Sequence, residues 1–261
     1  MKAMIFAAGL GSRLKPFTLE HPKALVTVGG KPMLQRVIEN VAAAGVREVV
    51  VNVHHFASQI VDFLRENDNF GLEITVSDES DCLLDTGGGL LKARDLLVGG
   101  APEEPILLHN ADILTDLPLG MMLERHKLSG ADVTLLCGDR HSSRRLYFAK
   151  DDDRLAGWEN VSSGEVNPKG FRPREDVSPS PFNGVHIVNP SVFTLLEEYA
   201  PEGITPFSIV PFYLAMLNRL DIRRYMLPEG CRWFDVGSSE KLSAAERAFC
   251  GTPVNVQPLN L

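Results

Sequence analysis

The chain reads as an α/β protein with one central, mainly parallel, twisted sheet. Two observations predict it. Through the first half, short apolar runs alternate with stretches of helical periodicity, the pattern of successive βαβ units. The apolar run Pro105-Ile106-Leu107-Leu108-His109 then delivers Asn110-Ala111-Asp112 at its carboxyl end, the edge at which open α/β sheets bind ligands.

Taken in order, Lys2 to Phe6 is the first strand. Pro32 opens a helix in which Met33, Val37, Val41 and Ala44 share a face, and Gly45 stands where a left-handed cap would end it. Val49 to Val53 reads as a buried strand, Phe56, Ile60, Phe63 and Leu64 as one face of a helix, and Leu72 to Val76 as another strand. Asp85-Thr86-Gly87-Gly88-Gly89 opens a helix through Leu97. After the central strand, Asp132 to Cys137, Leu146 to Lys150 and Leu155 to Trp158 are expected as strands, with Asp151-Asp152-Asp153 as a solvated hairpin turn. The stretch from Ser162 to Phe182 is rich in Pro, Gly and Ser and is expected to be a long loop, a candidate lid. A helix follows Glu240, and Pro253 to Leu261 reads as a loose tail.

With 261 residues, 44% of them hydrophobic, the chain can bury one sizeable core, so residues 1–261 are expected to form a single domain. The net charge of −8 argues against nucleic acid and anionic membrane surfaces as partners, and leaves the capture of an anionic small molecule to a local basic pocket. The four cysteines, Cys82, Cys137, Cys231 and Cys250, form no C-x-x-C pair and suit reduced thiols in a cytoplasm. The apolar stretch after Lys2 is short and ends in Gly11-Ser12-Arg13, so secretion is not expected. No apolar run approaches the length that crosses a bilayer.

The first strand runs into Ala7-Ala8-Gly9-Leu10-Gly11-Ser12-Arg13-Leu14. Small residues there let backbone N–H groups approach an anion, and Arg13 and Lys23 add full positive charge. The spacing is not the dinucleotide fingerprint, because Leu14 stands where a third glycine belongs, and the Gly-Lys-Ser/Thr of a P-loop is absent. His54-His55 is not read as a zinc site, since adjacent side chains on a strand point to opposite faces.

Together, that loop, Pro22-Lys23-Ala24-Leu25, Gly29-Gly30-Lys31-Pro32, Asp85 to Gly89, Asn110-Ala111-Asp112 and Trp233-Phe234-Asp235-Val236-Gly237 resemble the sugar-1-phosphate nucleotidyltransferases, in the same order and over nearly the whole chain. Within that family the sequence is most similar to the short N-acetylmuramate-1-phosphate uridylyltransferases of cell-wall recycling, with mannose- and heptose-1-phosphate guanylyltransferases close by. The resemblance implies a Rossmann-like, three-layer nucleotide-diphospho-sugar transferase fold around a mostly parallel mixed sheet. A nucleotide-binding half would occupy about residues 1–115, a sugar-binding half about 116–240, and a C-terminal helix and tail 241–261.

It also implies the chemistry: an NTP and a sugar-1-phosphate give an NDP-sugar and pyrophosphate, assisted by Mg²⁺. Such in-line transfer needs positioning and charge neutralisation more than covalent help, and Mg²⁺ commonly takes one or two carboxylates. By resemblance Asp112 and Asp235 hold the metal, while Lys23 and Arg13 act on the phosphates. Nucleotide contacts are carried over to Ala7, Ala8, Gly9, Gly11, Ser12, Asp85, Gly87 and Gly88, and sugar contacts to Asn52, His55, Asn110, Glu159, Asn183 and Gly184. Two departures stand out. Asn160 occupies the place where many relatives carry a lysine that neutralises the sugar phosphate, which leaves that charge to Arg140, Arg144 or Arg145; the same arginines are the candidates for a lactyl carboxylate on the sugar. Ala111 stands where relatives often have glycine. A guanylyltransferase, a CTP enzyme acting on phosphocholine and a sensor without catalysis stay open as alternatives, although a sensor would be expected to have lost Lys23 or an aspartate. A glycosyltransferase would present an Asp-x-Asp pair, where this chain has Asn110-Ala111-Asp112. A monomer is expected, with a dimer as the alternative.

Overall fold

In the computed structural model, which describes residues 1–99 and 103–250, strands and helices alternate through the first half as expected. The chain runs β1 (Lys2–Phe6), β2 (Thr27–Val28), β3 (Lys31–Pro32), α1 (Met33–Ala43), β4 (Glu48–Val53), α2 (Ala57–Glu66), β5 (Glu73–Asp78), α3 (Asp85–Lys92), α4 (Arg94–Val98), β6 (Ile106–Asn110) and β7 (Ile113–Thr115). It continues through α5 (Leu119–Ser129), β8 (Val133–Cys137), β9 (Arg144–Ala149), β10 (Leu155–Asn160), β11 (Glu165–Asn167), β12 (Val177–Ser180) and β13 (Phe182–Val188). The last elements are α6 (Val192–Tyr199), α7 (Ile209–Ala215), β14 (Ile222–Met226), β15 (Trp233–Asp235) and α8 (Ser239–Cys250).

A seven-stranded sheet in the order β14-β8-β13-β6-β1-β4-β5 forms the middle layer. Strand β13 is antiparallel to both its neighbours and the remaining pairings are parallel, so the sheet is mixed and mostly parallel. Strands on both sides of residue 115 share it. The period-2 alternation of strands divides the core. Ala3, Ile5, Val49 and Val51 face one layer with Leu34 and Ile38 of α1, Ile60 of α2, Met122 of α5 and Ala245 of α8. Met4, Phe6 and Val50 face the other, with Leu90 of α3, Leu97 of α4, Phe193 of α6 and Phe212 of α7. That is the three-layer α/β architecture.

The order reverses beside β1, which lies between β4 and β6, and this switch opens a crevice at the carboxyl ends of β1 and β6. The chain leaves β1 through Gly11 at φ +63°, folding the loop back so that a Cβ there would meet the Lys23 and Thr18 side chains at 2.8 Å.

Three expectations need correction. The segment 162–182 is not one long loop: it forms β11, β12 and the start of β13, and β11-β10-β9-β12 make a second, antiparallel sheet. Pro179 is tolerated because β12 is an edge strand, where a missing N–H breaks no ladder. Phe171 from this segment packs on Tyr147 with ring centroids 5.4 Å apart, which ties it to that sheet. The helix expected from Asp85 to Leu97 is interrupted at Ala93 into α3 and α4. The Asp151–Asp153 turn is more than solvated, since Asp153 Oδ1 accepts from Arg224 Nε at 2.8 Å. The tail expected from Pro253 onward lies outside the described residues.

Helix α3 packs so tightly on the segment before α7 that its glycines cannot be replaced without movement. A Cβ on Gly88 would stand 2.2 Å from the Thr205 carbonyl oxygen, and one on Gly87 2.2 Å from the Phe207 ring. We expect Gly88→Ala to lose about 1–3 kcal/mol, because backbone must shift to admit the methyl. A urea midpoint equal to that of the parent would show that the two segments separate freely.

Burial also sets a pH dependence. Burial holds His109 at about 4 and His186 at about 3, and depresses His126 as well. The unfolded chain takes up protons on these rings below about 6.5 while the folded one does not, so stability is full above that pH and falls as pH drops toward 4. Urea midpoints should therefore decline between about pH 7 and pH 5, above the carboxylate range. A flat profile would mean that these imidazoles titrate normally in the fold.

Candidate active site

The crevice is a cleft of about 300 Å³ lined by Ala7, Ala8 and Gly9 from the loop after β1, Lys23, Asn52, Glu79, Asp85, Asn110 and Asp112, among others. A chain of buried hydrogen bonds sets its floor. The Ala7 N–H donates to Asn52 Oδ1 at 2.7 Å, Asn52 Nδ2 donates to Glu79 Oε1 at 2.7 Å, and the Leu84 N–H donates to Glu79 Oε2 at 3.0 Å. The backbone N–H of Ala7 can only donate, so the Asn52 amide can face it one way round, and its NH₂ must then find an acceptor. Glu79, buried to 1% exposure, supplies that acceptor. Asn52 thus lies beneath the glycine-rich loop with both ends of its amide engaged, and it lines the cleft as well.

Two carboxylates are gathered by a short ladder. Strand β15 pairs antiparallel with β7, placing Asp235 opposite Ile113, and the Val236 N–H donates to the Asp112 carbonyl at 2.9 Å. The two aspartates, far apart in sequence, thereby stand on one edge. Each has a lysine on it: Lys23 Nζ pairs with Asp112 Oδ2, and Lys241 Nζ from α8 pairs with Asp235 Oδ2. The Lys23 side chain is 12% exposed. Arg13, on the surface of the 3-10 turn Ser12–Leu14, reaches the same edge, because a Cβ on Gly237 would meet Asp235 Oδ1 at 2.7 Å and Arg13 Nη2 at 3.0 Å. Among the described residues no group of three or more His, Cys, Asp or Glu side chains could hold a metal. Two oxygen donors from protein do suit a hard divalent cation whose other ligands are phosphate and water, and the lysines occupy them meanwhile.

Not every expected residue comes to the cleft. Gly87 and Gly88 are buried in α3, and both their N–H groups donate to the Phe207 carbonyl, at 2.8 and 3.2 Å, so the backbone nucleotide contacts assigned to them are not available. Gly11 and Ser12 lie in the loop beyond the lining residues, and His55 is exposed with its ring 3.9 Å from that of Phe56. Glu159 lies on the antiparallel sheet, where Tyr147 donates its hydroxyl to Oε2 at 2.7 Å. Asn183 is buried, accepting from Arg140 Nε at 2.9 Å on Oδ1 and from Trp233 Nε1 at 2.9 Å on its carbonyl. Gly184 sits next to Ile113 and Asn110. Sequence reasoning missed Glu79, Lys241 and Tyr147: Glu79 sits in the acidic run Asp78-Glu79-Ser80-Asp81 and Lys241 on a polar helix, both of which read as solvated surface.

The nucleotidyl transferase family model matches residues 2–250. The chain belongs to that family. An N-acetylmuramate alpha-1-phosphate uridylyltransferase of Caulobacter vibrioides is 32% identical over 94% of this chain and 95% of its own length. A probable mannose-1-phosphate guanylyltransferase of Oryza sativa subsp. japonica is 30% identical over 91% of the chain, which spans 61% of that longer relative. A solved structure described as a glucose-1-phosphate thymidylyltransferase from Bacillus anthracis superposes with a TM-score of 0.77 at 18% identity, over 98% of both chains, and shows the same fold. The protein is a sugar-1-phosphate nucleotidyltransferase. No helix among the described residues is long and apolar enough to cross a membrane.

The paired carboxylates predict the effect of removing either one. Asp112→Asn or Asp235→Asn should lower kcat by at least roughly 10²-fold with the thermal transition unchanged, the usual consequence of losing one preorganised electrostatic group. Lys23→Ala should lower kcat more than it changes KM for the sugar phosphate. Near-parental turnover in an aspartate variant would remove that residue from the site.

Proposed function

We propose that the enzyme joins UTP and N-acetylmuramate-1-phosphate to give UDP-N-acetylmuramate and pyrophosphate. The observation that carries this reading is reciprocal length: the similarity to the uridylyltransferase covers 94% of this chain and 95% of that relative, whereas the guanylyltransferase is matched over 61% of its length. The cleft supports the reaction class. The loop Ala7 to Gly9 at the end of β1 and Asp85 and Thr86 at the start of α3 line it together with Asp112 and Lys23, which offers a nucleotide and its phosphates one shared cleft. The antiparallel sheet with Glu159 and Tyr147 offers acceptors and a hydroxyl to a sugar.

In this reading Asp112 and Asp235 would hold Mg²⁺, which would supply charge neutralisation for the transferring phosphates. Lys23, which pairs with Asp112 at the cleft, is the group suited to neutralise the α-phosphate during in-line attack and the pyrophosphate as it leaves. Arg13 steadies the outer phosphates from the rim through its guanidinium fork. Arg145 faces Glu159 across β9 and β10 and is the group suited to meet the lactyl carboxylate of the sugar. Transfer of GTP to mannose-1-phosphate is the second reading, resting on the similarity to the Oryza sativa relative.

The test is a pyrophosphate-release matrix of ATP, CTP, GTP, UTP and dTTP against N-acetylmuramate-1-phosphate, N-acetylglucosamine-1-phosphate, glucose-1-phosphate and mannose-1-phosphate. UTP with the muramate substrate should give the highest kcat/KM, because a site that hydrogen-bonds a pyrimidine edge leaves buried groups unpaired when a purine replaces it. A higher value for GTP with mannose-1-phosphate would replace the first reading by the second.

A further inference from the structure

Arg140, in the connection between β8 and β9, makes no ion pair among the described residues, although the charge of Asp235 bears on it. Its guanidinium is half-buried, and among the described residues no carboxylate lies within ion-pair distance of it, although buried charges are ordinarily paired. What holds it is neutral. Nε donates to Asn183 Oδ1 at 2.9 Å, Nη2 donates to the Phe182 carbonyl at 2.9 Å, and the guanidinium carbon stands 4.8 Å above the Trp233 ring. The Trp233 Nε1–H closes the unit by donating to the Asn183 carbonyl at 2.9 Å. The fork is thus locked in one orientation with Nη1 left without a partner among the described residues. Burial pulls its pKa down, and the charge that opposes the pull is Asp235.

An unpaired, preorientated guanidinium is an anion seat. Its place says which anion. Trp233 and Asp235 belong to the same short strand, so the cation sits beside a carboxylate that the attacking phosphate must approach and that repels it. The neighbouring arginines are placed differently: Arg144 is exposed, and Arg145 donates Nε to the Ser142 carbonyl at 3.2 Å. Asn160 brings no charge. We infer that Arg140, stacked on Trp233 and locked by Asn183, is the residue that binds the phosphate of the sugar-1-phosphate and offsets the charge of Asp235 as that phosphate enters. The inference rests on the sugar-1-phosphate chemistry and not on which sugar is used.

The experiment compares the parent with Arg140→Met and Arg140→Lys, using N-acetylmuramate-1-phosphate, N-acetylglucosamine-1-phosphate and mannose-1-phosphate at saturating NTP, with NTP KM measured separately and folding checked by thermal unfolding. For every sugar phosphate the parent accepts, Arg140→Met should raise KM roughly 10- to 100-fold, the size of a lost charge-assisted hydrogen bond, while NTP KM stays within about twofold. Arg140→Lys should recover part of the loss, since an ammonium keeps the charge and loses the fork. Unchanged sugar-phosphate KM, or an equal rise in NTP KM, overturns the inference, as does a loss confined to the muramate substrate, which would place the arginine on the lactyl carboxylate. If Arg140→Met does not fold, the same KM comparison on Arg140→Lys decides. Should the parent turn over none of these sugars, the muramate reading fails by itself. Calorimetric titration with glucose-1-phosphate then judges Arg140, and equal affinity in parent and variant overturns its role.

Discussion

Two carboxylates from distant parts of the chain stay on one edge only if something rigid holds their backbones together, and in this fold that is the short antiparallel pairing of β7 with β15. Asp112 leaves the central sheet just after β6, and Asp235 arrives from the far end of the chain. The Val236 N–H to Asp112 carbonyl bond joins them directly. The outer end of the ladder is clamped as well: Asp116 accepts from the Arg232 side chain and from its N–H, each at 2.6 Å, and Thr115 Oγ1 donates to the Arg232 carbonyl at 2.8 Å. Trp233, the seat of Arg140, and the helix bearing Lys241 both follow from where β15 lies.

Gathering negative charge at one edge has an electrostatic cost, and the fold offsets it locally with Lys23 and Lys241. The two lysines differ in setting. Lys23 comes from a 3-10 turn that the backward fold at Gly11 brings against the cleft, and its side chain is largely enclosed, whereas Lys241 is 48% exposed. A charge in the enclosed setting is less screened by water and so bears more strongly on a phosphate brought beside it.

The glycine-rich loop depends on a different kind of support. A loop of small residues has little side-chain packing to fix it, and here the Glu79–Asn52–Ala7 hydrogen-bond chain does so from below. Gly89 belongs to the same arrangement, because a Cβ there would stand 2.7 Å from Glu79 Oε1. The glycines of α3 therefore let the helix approach its neighbours closely.

Much of this was legible in the sequence. The alternation of apolar runs and helical periodicity determined the α/β layering, because the side-chain periods of strand and helix are local properties that survive in any context. The loop after β1, Lys23, Asp112 and Asp235 could be named because they resemble the nucleotidyltransferase motifs in type and order, whereas residue type alone would leave a lysine such as Lys23 as solvated surface. Other features were decided only by tertiary structure. The segment 162–182 is rich in turn formers, yet edge pairing with β9 and β10 turns parts of it into strands, since strand formation depends on a partner that local composition does not reveal. Gly87 and Gly88 read as nucleotide contacts while Phe207 takes their N–H groups, and Glu79 reads as surface until Asn52 and Leu84 enclose it. Residue type states what a group can do; which donor meets which acceptor is settled by contacts between segments distant in the chain, and only the folded molecule brings those together.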